Sequence, residues 1–286
     1  MPKPLVSIMM PVYNGLPLIK ASVESIKNQS YPNWECVMVD DGSTDGTSDY
    51  IDSLNDDRFI VHHLNKNSGR AVARQEALNL CKGKYICMVD AEDLIHPEKI
   101  AVQVEFMESN PDYSLCTTAI CSFGVNTRML LVRGADLNGE VMFTGANHPI
   151  HAASIYRASI AKRCQYNPSL RLGEDQDFLE KYLKNNPRYY AIPRVLYYYS
   201  ELDSVSKEKI SNNYCLYIKK YLDQKNYKMS LLFLLKYFYS KMVFPFVSIE
   251  SILCKRGRNA TDKEVEDFNN YCRPIVDKYA GDNKKS

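Results

Sequence analysis

The sequence predicts an α/β fold built on a mixed, mainly parallel sheet flanked by helices, and two observations support this. Short apolar runs rich in β-branched residues alternate with segments of helical period, which is typical of strands joined by crossover helices. Each predicted strand also ends in polar or acidic residues. With 286 residues, the chain is long enough to bury a complete hydrophobic core.

The elements of the first hundred residues can be placed in order. They are strand 5–10, helix 18–29, strand 35–39, strand 59–63, helix 69–81 and strand 85–89. Helix 18–29 carries Ile19, Val23 and Ile26 on one side, so this side is predicted to face the core. Ser43 or Thr44 is predicted to cap a short helix after the second strand.

Three predicted strands end in the polar segments 11–14, 40–45 and 90–93. In open α/β sheets ligands bind outside the carboxyl ends of the strands, so these segments predict the rim of one crevice. No two glycines are spaced as GxG and no GxxxxGK[ST] loop is present, which excludes a glycine-rich phosphate cradle. The acidic segment 90–93 is therefore interpreted as a site for Mg²⁺ or Mn²⁺ that would hold a nucleotide diphosphate.

A second interpretation of this acidic segment needs no ligand. The segment could be a solvated loop that caps the helix starting near Pro97, with Asp93 beside the helix dipole.

Net charge and cysteine spacing indicate which binding partners and which cellular compartment the sequence favours. Lysine and arginine nearly balance aspartate and glutamate, for a formal net charge of +2, so overall charge favours no particular partner and nucleic-acid binding has little support. The nine cysteines form no CxxC pair, which favours a reduced, cytoplasmic setting. The first apolar run is too short for a signal peptide.

Five ordered motifs between Val6 and Tyr199 resemble those of the inverting family-2 glycosyltransferases of the GT-A fold. They are VSIMMPVYNG, VMVDDGSTDGT, NSGRAVARQEAL, YICMVDAEDLIHPEKI and LRLGEDQDFLEKYL. The resemblance, together with a change of composition near Ser206, predicts a catalytic domain over residues 1–206. Residues 1–100 would be its nucleotide-binding half and 101–206 its acceptor half, followed by a helical region over 207–286.

The resemblance implies that Pro11, Tyr13 and Asp41 border the base and ribose of a nucleotide-diphosphate sugar, with Asp40 beside them. UDP is the favoured nucleotide. A tyrosine ring can pack on the base, and a carboxylate can accept a hydrogen bond from a pyrimidine N–H or a ribose hydroxyl. For Asp41 the alternative is an Asx turn with Gly42.

The metal segment departs from the pattern of the family. Where relatives usually have Asp-x-Asp, this chain has Asp90-Ala-Glu92 followed by Asp93. By position Glu92 is interpreted as the metal ligand and Asp93 as the alternative ligand, while Asp90 would reach the ribose or a metal-bound water. The family's Ala-Arg pair matches Arg74, which would contact donor phosphate or the acidic segment.

The resemblance places the general base at Asp175, within the acidic start of a predicted helix. Asp175 would take a proton from an acceptor hydroxyl as that oxygen attacks the anomeric carbon, and the configuration would invert. Glu174 and His151 are further candidates near the acceptor, although a structural histidine is an equal alternative for His151. Asp177 is predicted to act only in the first turn of the helix.

The C-terminal region has its own charge pattern. Residues 207–255 contain nine lysines against three acids, interleaved with Tyr and Phe, which suits a helix lying on the inner face of the plasma membrane. Packing on the catalytic domain, or on a second subunit in a homo-oligomer, is an equal alternative. The acceptor would then be a glycan or a lipid-linked glycan of polysaccharide synthesis.

Two other functions have to be weighed. A non-catalytic nucleotide-sugar or glycan-binding module of the same fold stays open because Glu92 departs from the family pattern. A sugar nucleotidyltransferase would share the layout and the metal, but it would need a glycine-rich phosphate loop near the N-terminus, and none is present.

Overall fold

The computed structural model describes residues 2–145, 147–170, 173–203, 206–223 and 225–280. The strands are β1 (Val6–Val12), β2 (Trp34–Asp40), β3 (Phe59–His63), β4 (Tyr85–Met88), β5 (Leu94–Ile95), β6 (Leu115–Phe123), β7 (Leu131–Arg133), β8 (Gly139–Met142), β9 (Ile155–Arg157), β10 (Arg188–Ser200) and β11 (Arg258–Asn259). The helices are α1 (Ile19–Lys27), α2 (Thr47–Asp52), α3 (Arg70–Leu80), α4 (Lys99–Ser109), α5 (Ala158–Ala161), α6 (Glu174–Leu183), α7 (Lys207–Asp223), α8 (Tyr227–Val243), α9 (Ile249–Leu253), α10 (Asp262–Tyr271) and α11 (Arg273–Ala280), and a 3₁₀ turn covers Phe244–Phe246.

The strands of the described residues form one mixed sheet. Strands β3, β2, β1 and β4 are adjacent and parallel, and β6 and β10 form a second long parallel pair. Short antiparallel strands complete the sheet: β9 lies between β4 and β6, β5 and β8 pair with β10, and β7 joins β6 to β11. The longest ladders are parallel, which confirms the predicted fold class.

Helices cover both sides of the parallel strands. In β1, Ile8 and Met10 face the core that contains Ile19 of α1, whereas Met9 faces the core that contains Leu78 of α3. A strand buried on both sides must be apolar at every position, which explains the continuous apolar runs of the sequence. The predicted buried side of α1 is confirmed, because Ile19, Val23 and Ile26 are all in the core.

The predicted cap of the second helix is wrong. Helix α2 begins at Thr47 after Gly46, whose φ of 88° lies in the left-handed region, and no side chain caps it. Ser43 and Thr44 instead bond to the loop after β1: Asn14 N–H donates to Ser43 Oγ at 2.9 Å, and Thr44 N–H donates to Asn14 Oδ1 at 2.8 Å. Ser43 and Thr44 therefore connect the loop after β2 to the loop after β1.

The C-terminal region consists of two parts. Helices α10 and α11 pack on the sheet, where the fully buried Phe268 ring lies 5.4 Å from the rings of Phe123 and Tyr198. Helices α7 and α8 pack against each other and leave many apolar side chains of α8 exposed. None of the helices in the described ranges combines the length and apolar character that crossing a lipid bilayer requires. The domain division at residue 206 stays a prediction.

Candidate functional site

A cleft of about 370 Å³ opens at the carboxyl ends of β1, β2 and β4, and we call it the strand-end cleft. Its lining includes five predicted site residues: Pro11, Tyr13, Asp41, Asp90 and Glu92. Parallel strands bring these residues together although up to 81 positions separate them, because all their carboxyl ends meet at one edge of the sheet. The Tyr13 side chain is 47% exposed, so its ring is free to pack against a ligand.

The loop after β3 is held to the strand-end cleft by Asp41. The buried carboxylate of Asp41 accepts hydrogen bonds from Ser68 N–H at 2.6 Å and from Gly69 N–H at 2.8 Å. The alternative of an Asx turn with Gly42 is therefore wrong, since both carboxylate oxygens are bonded to a distant loop. Asp41 shapes the cleft and fixes the start of α3.

Asp40 lies beneath the cleft rather than in its lining. Its carboxylate accepts hydrogen bonds from Ser43 N–H at 3.0 Å and Ser48 Oγ at 2.5 Å, and His63 Nδ1 lies 3.0 Å away. Burial opposes the charge on Asp40, but these hydrogen bonds outweigh it and lower the pKa of the carboxyl group. The Asp40 carboxylate is thus engaged by neighbouring protein groups, and its place beside the nucleotide stays a prediction.

Asp93 is not among the residues that line the strand-end cleft. Its fully buried carboxylate accepts hydrogen bonds from Tyr197 OH at 2.6 Å and from Ser200 N–H at 2.8 Å, both on β10. Burial and the nearby Asp90 raise the pKa of Asp93. Both oxygens of Asp93 are thus engaged, which contradicts Asp93 as the alternative metal ligand, and Glu92 stays the predicted ligand. Asp93 does not cap α4 either, because no side chain caps that helix.

Asp90 and Glu92 form the acidic side of the strand-end cleft. Partial desolvation, and then the charge of the neighbouring Asp90, raise the pKa of Glu92, and a bound divalent cation would favour the ionised form of both carboxylates. No group of three or more His, Cys, Asp or Glu side chains in the described residues could hold a metal by itself. The pair fits a cation held jointly by two hard carboxylate oxygens and by the oxygens of a bound ligand.

Arg74 of α3 connects the acidic segment to α6. Its buried guanidinium donates to Glu174 Oε1 at 2.9 Å and to Asp90 Oδ1 at 3.4 Å. Burial opposes the positive charge, yet Asp90, Glu174 and Asp175 outweigh it and raise the pKa of Arg74. Contact with the acidic segment, one of the two predicted roles of Arg74, is present in the structure. Arg70 lies 3.6 Å from Glu174, but its side chain is 70% exposed.

A second cleft, of about 470 Å³, lies next to the first, and we call it the central cleft. Arg70, Asp90 and Tyr199 line both clefts, so the two clefts adjoin. Asp175 and Glu174, from the start of α6, face the central cleft.

The three acids at the start of α6 have different surroundings. Glu174 is buried against Arg74, and Asp177 forms an ion pair with Lys181 at 2.7 Å. Asp175 is half-buried. Within the part of the chain that the structure describes, its carboxylate accepts a hydrogen bond only from Gln176 N–H, at 2.9 Å. Asp175 is therefore the acid that remains available to a molecule in the central cleft.

His151 is held as a structural histidine. Its two ring nitrogens lie 2.6 Å from Tyr156 OH and 2.9 Å from Tyr166 OH, within a buried aromatic cluster. Burial and the charge of Arg74 lower the pKa of His151 to about 4, so the ring is neutral at pH 7. The structure thus favours the structural alternative over the acceptor role.

Four residues in the lining of the central cleft were not predicted from the sequence. They are Arg133, Glu201, Tyr217 and Arg256. These residues come from β7, the end of β10, α7 and the segment after α9, and no motif of the sequence joins them. Only the fold brings them together.

Comparison with known proteins places this site in a family. Residues 7–164 match the model of the family described as Glycosyl transferase family 2, and the chain belongs to this family. The membership confirms the predicted class of enzyme, a glycosyltransferase.

One relative in the family has a defined activity. WfaP of Escherichia coli, named as a UDP-Glc:α-D-GlcNAc-diphosphoundecaprenol β-1,3-glucosyltransferase, is 43% identical over 105 residues. The match covers 37% of this chain and 42% of WfaP, so the chain spans less than half the length of that relative.

Solved structures share the fold. The S. aureus TarS 1–349 structure in complex with UDP-GlcNAc has a TM-score of 0.60 at 23% identity, covering 86% of this chain and 76% of that chain. The mannosyltransferase PcManGT from Pyrobaculum calidifontis, in complex with GDP-Man and Mn²⁺, has a TM-score of 0.61 at 18% identity, covering 78% and 64% of the two chains.

We expect the buried ion pair of Arg74 to be essential for stability. Replacing Arg74 with Gln leaves Glu174 buried without its cation, which typically costs about 3–5 kcal/mol. Replacing the exposed Arg70 with Gln should change the free energy of unfolding by less than about 1 kcal/mol. Urea denaturation of both variants and the parent checks this, and equal effects of the two substitutions would contradict the role of Arg74.

Proposed function

We propose that this protein transfers a sugar, with inversion, from a nucleotide-diphosphate sugar to an acceptor hydroxyl, and that UDP is the donor nucleotide. The observation that carries the proposal is the junction of the two clefts at Asp90. A donor in the strand-end cleft would place its reacting end near Asp90. Asp175 faces the adjoining central cleft, which Asp90 also lines.

The donor nucleotide would occupy the strand-end cleft. Tyr13 offers an exposed ring to the base, and Pro11 and Asp41 form the neighbouring wall. Support for UDP comes from the name of WfaP and from the complex of TarS with UDP-GlcNAc.

Mn²⁺ or Mg²⁺ would be held by Asp90 and Glu92 together with the diphosphate of the donor. When bound, the cation supplies charge that stabilises the departing diphosphate. The complex of PcManGT with GDP-Man and Mn²⁺ supports this part of the proposal. Arg74 keeps the Asp90 carboxylate in place from the side of α3.

Asp175 acts as the general base in this proposal. Its carboxylate takes the proton of the acceptor hydroxyl while that oxygen forms a bond to the anomeric carbon, and the bond from this carbon to the diphosphate oxygen breaks. Attack from the side opposite the leaving group inverts the configuration. Glu174 is a poorer base because its oxygen accepts a hydrogen bond from the Arg74 guanidinium at 2.9 Å.

Asp175→Asn should bind donor like the parent but lose turnover by about 100-fold or more, since general bases contribute roughly 10²–10⁴-fold. The matched control is Asp177→Asn on the same helical turn, which should keep most of the activity. Steady-state kinetics of sugar transfer and UDP titration by calorimetry check both. Unchanged turnover of Asp175→Asn would remove Asp175 from the mechanism. Donor binding without transfer by the parent, across a panel of acceptors, would favour a non-catalytic module.

Mn²⁺-dependent binding of UDP should distinguish the two candidate ligands. We expect Glu92→Gln to weaken UDP binding in the presence of Mn²⁺ about tenfold, and Asp93→Asn to leave this affinity unchanged while altering the melting temperature. Because its pKa is raised, Glu92 takes up a proton at a higher pH than an ordinary glutamate, so Mn²⁺-dependent affinity should fall early on acidification. Loss of metal dependence in Asp93→Asn alone would reverse the assignment.

A second part of the proposal concerns the membrane. Tyr227, Leu231, Leu235, Phe238 and Met242 of α8 are each more than half exposed, and their spacing of three or four residues places them on one side of the helix. Nine lysines against three acids over residues 207–255 complement an anionic lipid surface. We propose that this side of α8, which we call the α8 face, lies on the membrane and that the acceptor is a lipid-linked glycan.

Liposome sedimentation tests the α8 face. The parent should bind vesicles that contain anionic lipid, less so at high salt, and Phe238→Glu should bind at least several-fold more weakly. Leu137→Glu, which alters an exposed leucine elsewhere on the surface, is the control and should bind like the parent. A dimer that Phe238→Glu dissociates, without vesicle binding by the parent, would assign the face to a second copy of the chain instead.

A further inference from the structure

A third cleft lies between α7, α8 and α9, and we call it the helical cleft. It has a volume of about 480 Å³, and its lining includes Tyr214, Tyr239 and Val243 together with two lysines, Lys236 and Lys255. Most of the other lining side chains are also apolar or aromatic. A cleft of this composition suits an apolar chain.

The helical cleft adjoins the central cleft. Tyr217 and Arg256 line both of them. Tyr217 stacks on Phe233 with ring centroids 4.8 Å apart. Burial and the charge of Asp175 raise the pKa of the Tyr217 hydroxyl, which shows that this group lies within electrostatic reach of the proposed base. The path from Asp175 to the helical cleft therefore passes Tyr217.

Two arginines meet at this junction and share one carboxylate. Arg133 donates to Glu201 Oε1 at 2.6 Å, and Arg256 donates to Glu201 Oε2 at 3.4 Å. Burial lowers the pKa of Arg133, and the charge of Arg256 lowers it further although Glu201 opposes the change. Two guanidinium groups against one carboxylate leave a positive charge, and guanidinium groups form their strongest hydrogen bonds with phosphate and carboxylate.

We infer that the acceptor is an amphiphilic phosphate, whose sugar lies beside Asp175, whose phosphate is bound by Arg133 and Arg256, and whose apolar chain enters the helical cleft. The inference rests on the proposed function, since it identifies the acceptor of that reaction. The order of the three parts follows the linings of the clefts: Asp175 and Arg133 line the central cleft, Arg256 lines both clefts, and most of the helical cleft is apolar or aromatic. A neutral sugar would leave the arginines and the helical cleft unused.

Binding of dodecyl phosphate tests the subsite without knowledge of the acceptor sugar. The full-length protein is first saturated with UDP and Mn²⁺, so that phosphate probes cannot occupy the strand-end cleft, and dodecyl phosphate is then titrated below its micelle concentration. Dodecyl maltoside supplies a similar chain without charge, and inorganic pyrophosphate supplies charge without a chain. We expect dodecyl phosphate to bind at least about tenfold more tightly than dodecyl maltoside, since a charge-assisted hydrogen bond contributes roughly that factor. It should also bind more tightly than pyrophosphate, because only the alkyl probe buries apolar surface in the helical cleft.

Two substitutions test the two parts of the proposed subsite separately: the arginine that would bind the phosphate and the cleft that would bind the apolar chain. Arg256→Gln should weaken dodecyl phosphate about tenfold and leave dodecyl maltoside unchanged, and it should fold normally because its ion pair is long and 40% exposed on the arginine side. Tyr239→Ser should weaken both alkyl probes and leave pyrophosphate unchanged. The controls are Arg163→Gln and Tyr227→Ser, two exposed residues that line none of the three clefts.

The outcomes separate this inference from the proposed function. If UDP binds with Mn²⁺ but dodecyl phosphate binds no better than dodecyl maltoside, or if Arg256→Gln has no effect, the acceptor subsite is wrong and the donor site stands. If the alkyl probes respond equally to Tyr239→Ser and to Tyr227→Ser, they bind to the α8 surface in general, and the helical cleft is not the subsite. If UDP fails to bind while dodecyl phosphate binds as expected, the donor assignment fails and the amphiphile site stands.

Discussion

The buried guanidinium of Arg74 is the constraint on which the arrangement of the strand-end cleft and the central cleft depends. It lies between Glu174 of α6 and Asp90 after β4, and it is the charge that lets two acids from distant segments lie close together. Without a cation, two carboxylates in a poorly solvated site would repel each other and one would take up a proton. Arg74 thereby fixes the distance between the acidic segment and the start of α6, where Asp175 lies.

The central cleft contains two groups of charged residues. One is Asp90 and Glu174 with Arg74, and the other is Arg133 and Arg256 with Glu201. In the proposed function the donor and its cation would lie beside the first group, because Asp90 also lines the strand-end cleft. An anionic acceptor would be attracted to the arginines of the second group, so that the two negatively charged substrates would not compete for the same cations.

Parallel strands explain why much of this site could be predicted from the sequence. Once β1, β2 and β4 are placed as neighbours, the segments that follow them must meet, and Tyr13 and Glu92 do line one cleft. Side-chain direction could not be predicted in the same way. Asp93 follows Glu92 directly, yet it turns to Tyr197 on a strand about a hundred residues later, and no local pattern reports that pairing. The wall formed by Arg133 and Arg256 is equally non-local, because it exists only where β7 meets the C-terminal helices.

In the proposed function, the hairpin of α7 and α8 would join recognition of the acceptor to the membrane. One side of α8 is apolar and exposed, whereas α7 and α8 together form the helical cleft that opens beside Arg256. An acceptor with a long apolar chain could then remain largely in the bilayer while its phosphate and sugar enter the central cleft. Such a molecule would not have to be extracted into water, which would cost about 0.8 kcal/mol for each exposed CH₂ group. The same two helices would thus hold the enzyme on the lipid and admit the substrate from it, which gives a physical reason for both surfaces to lie on one hairpin.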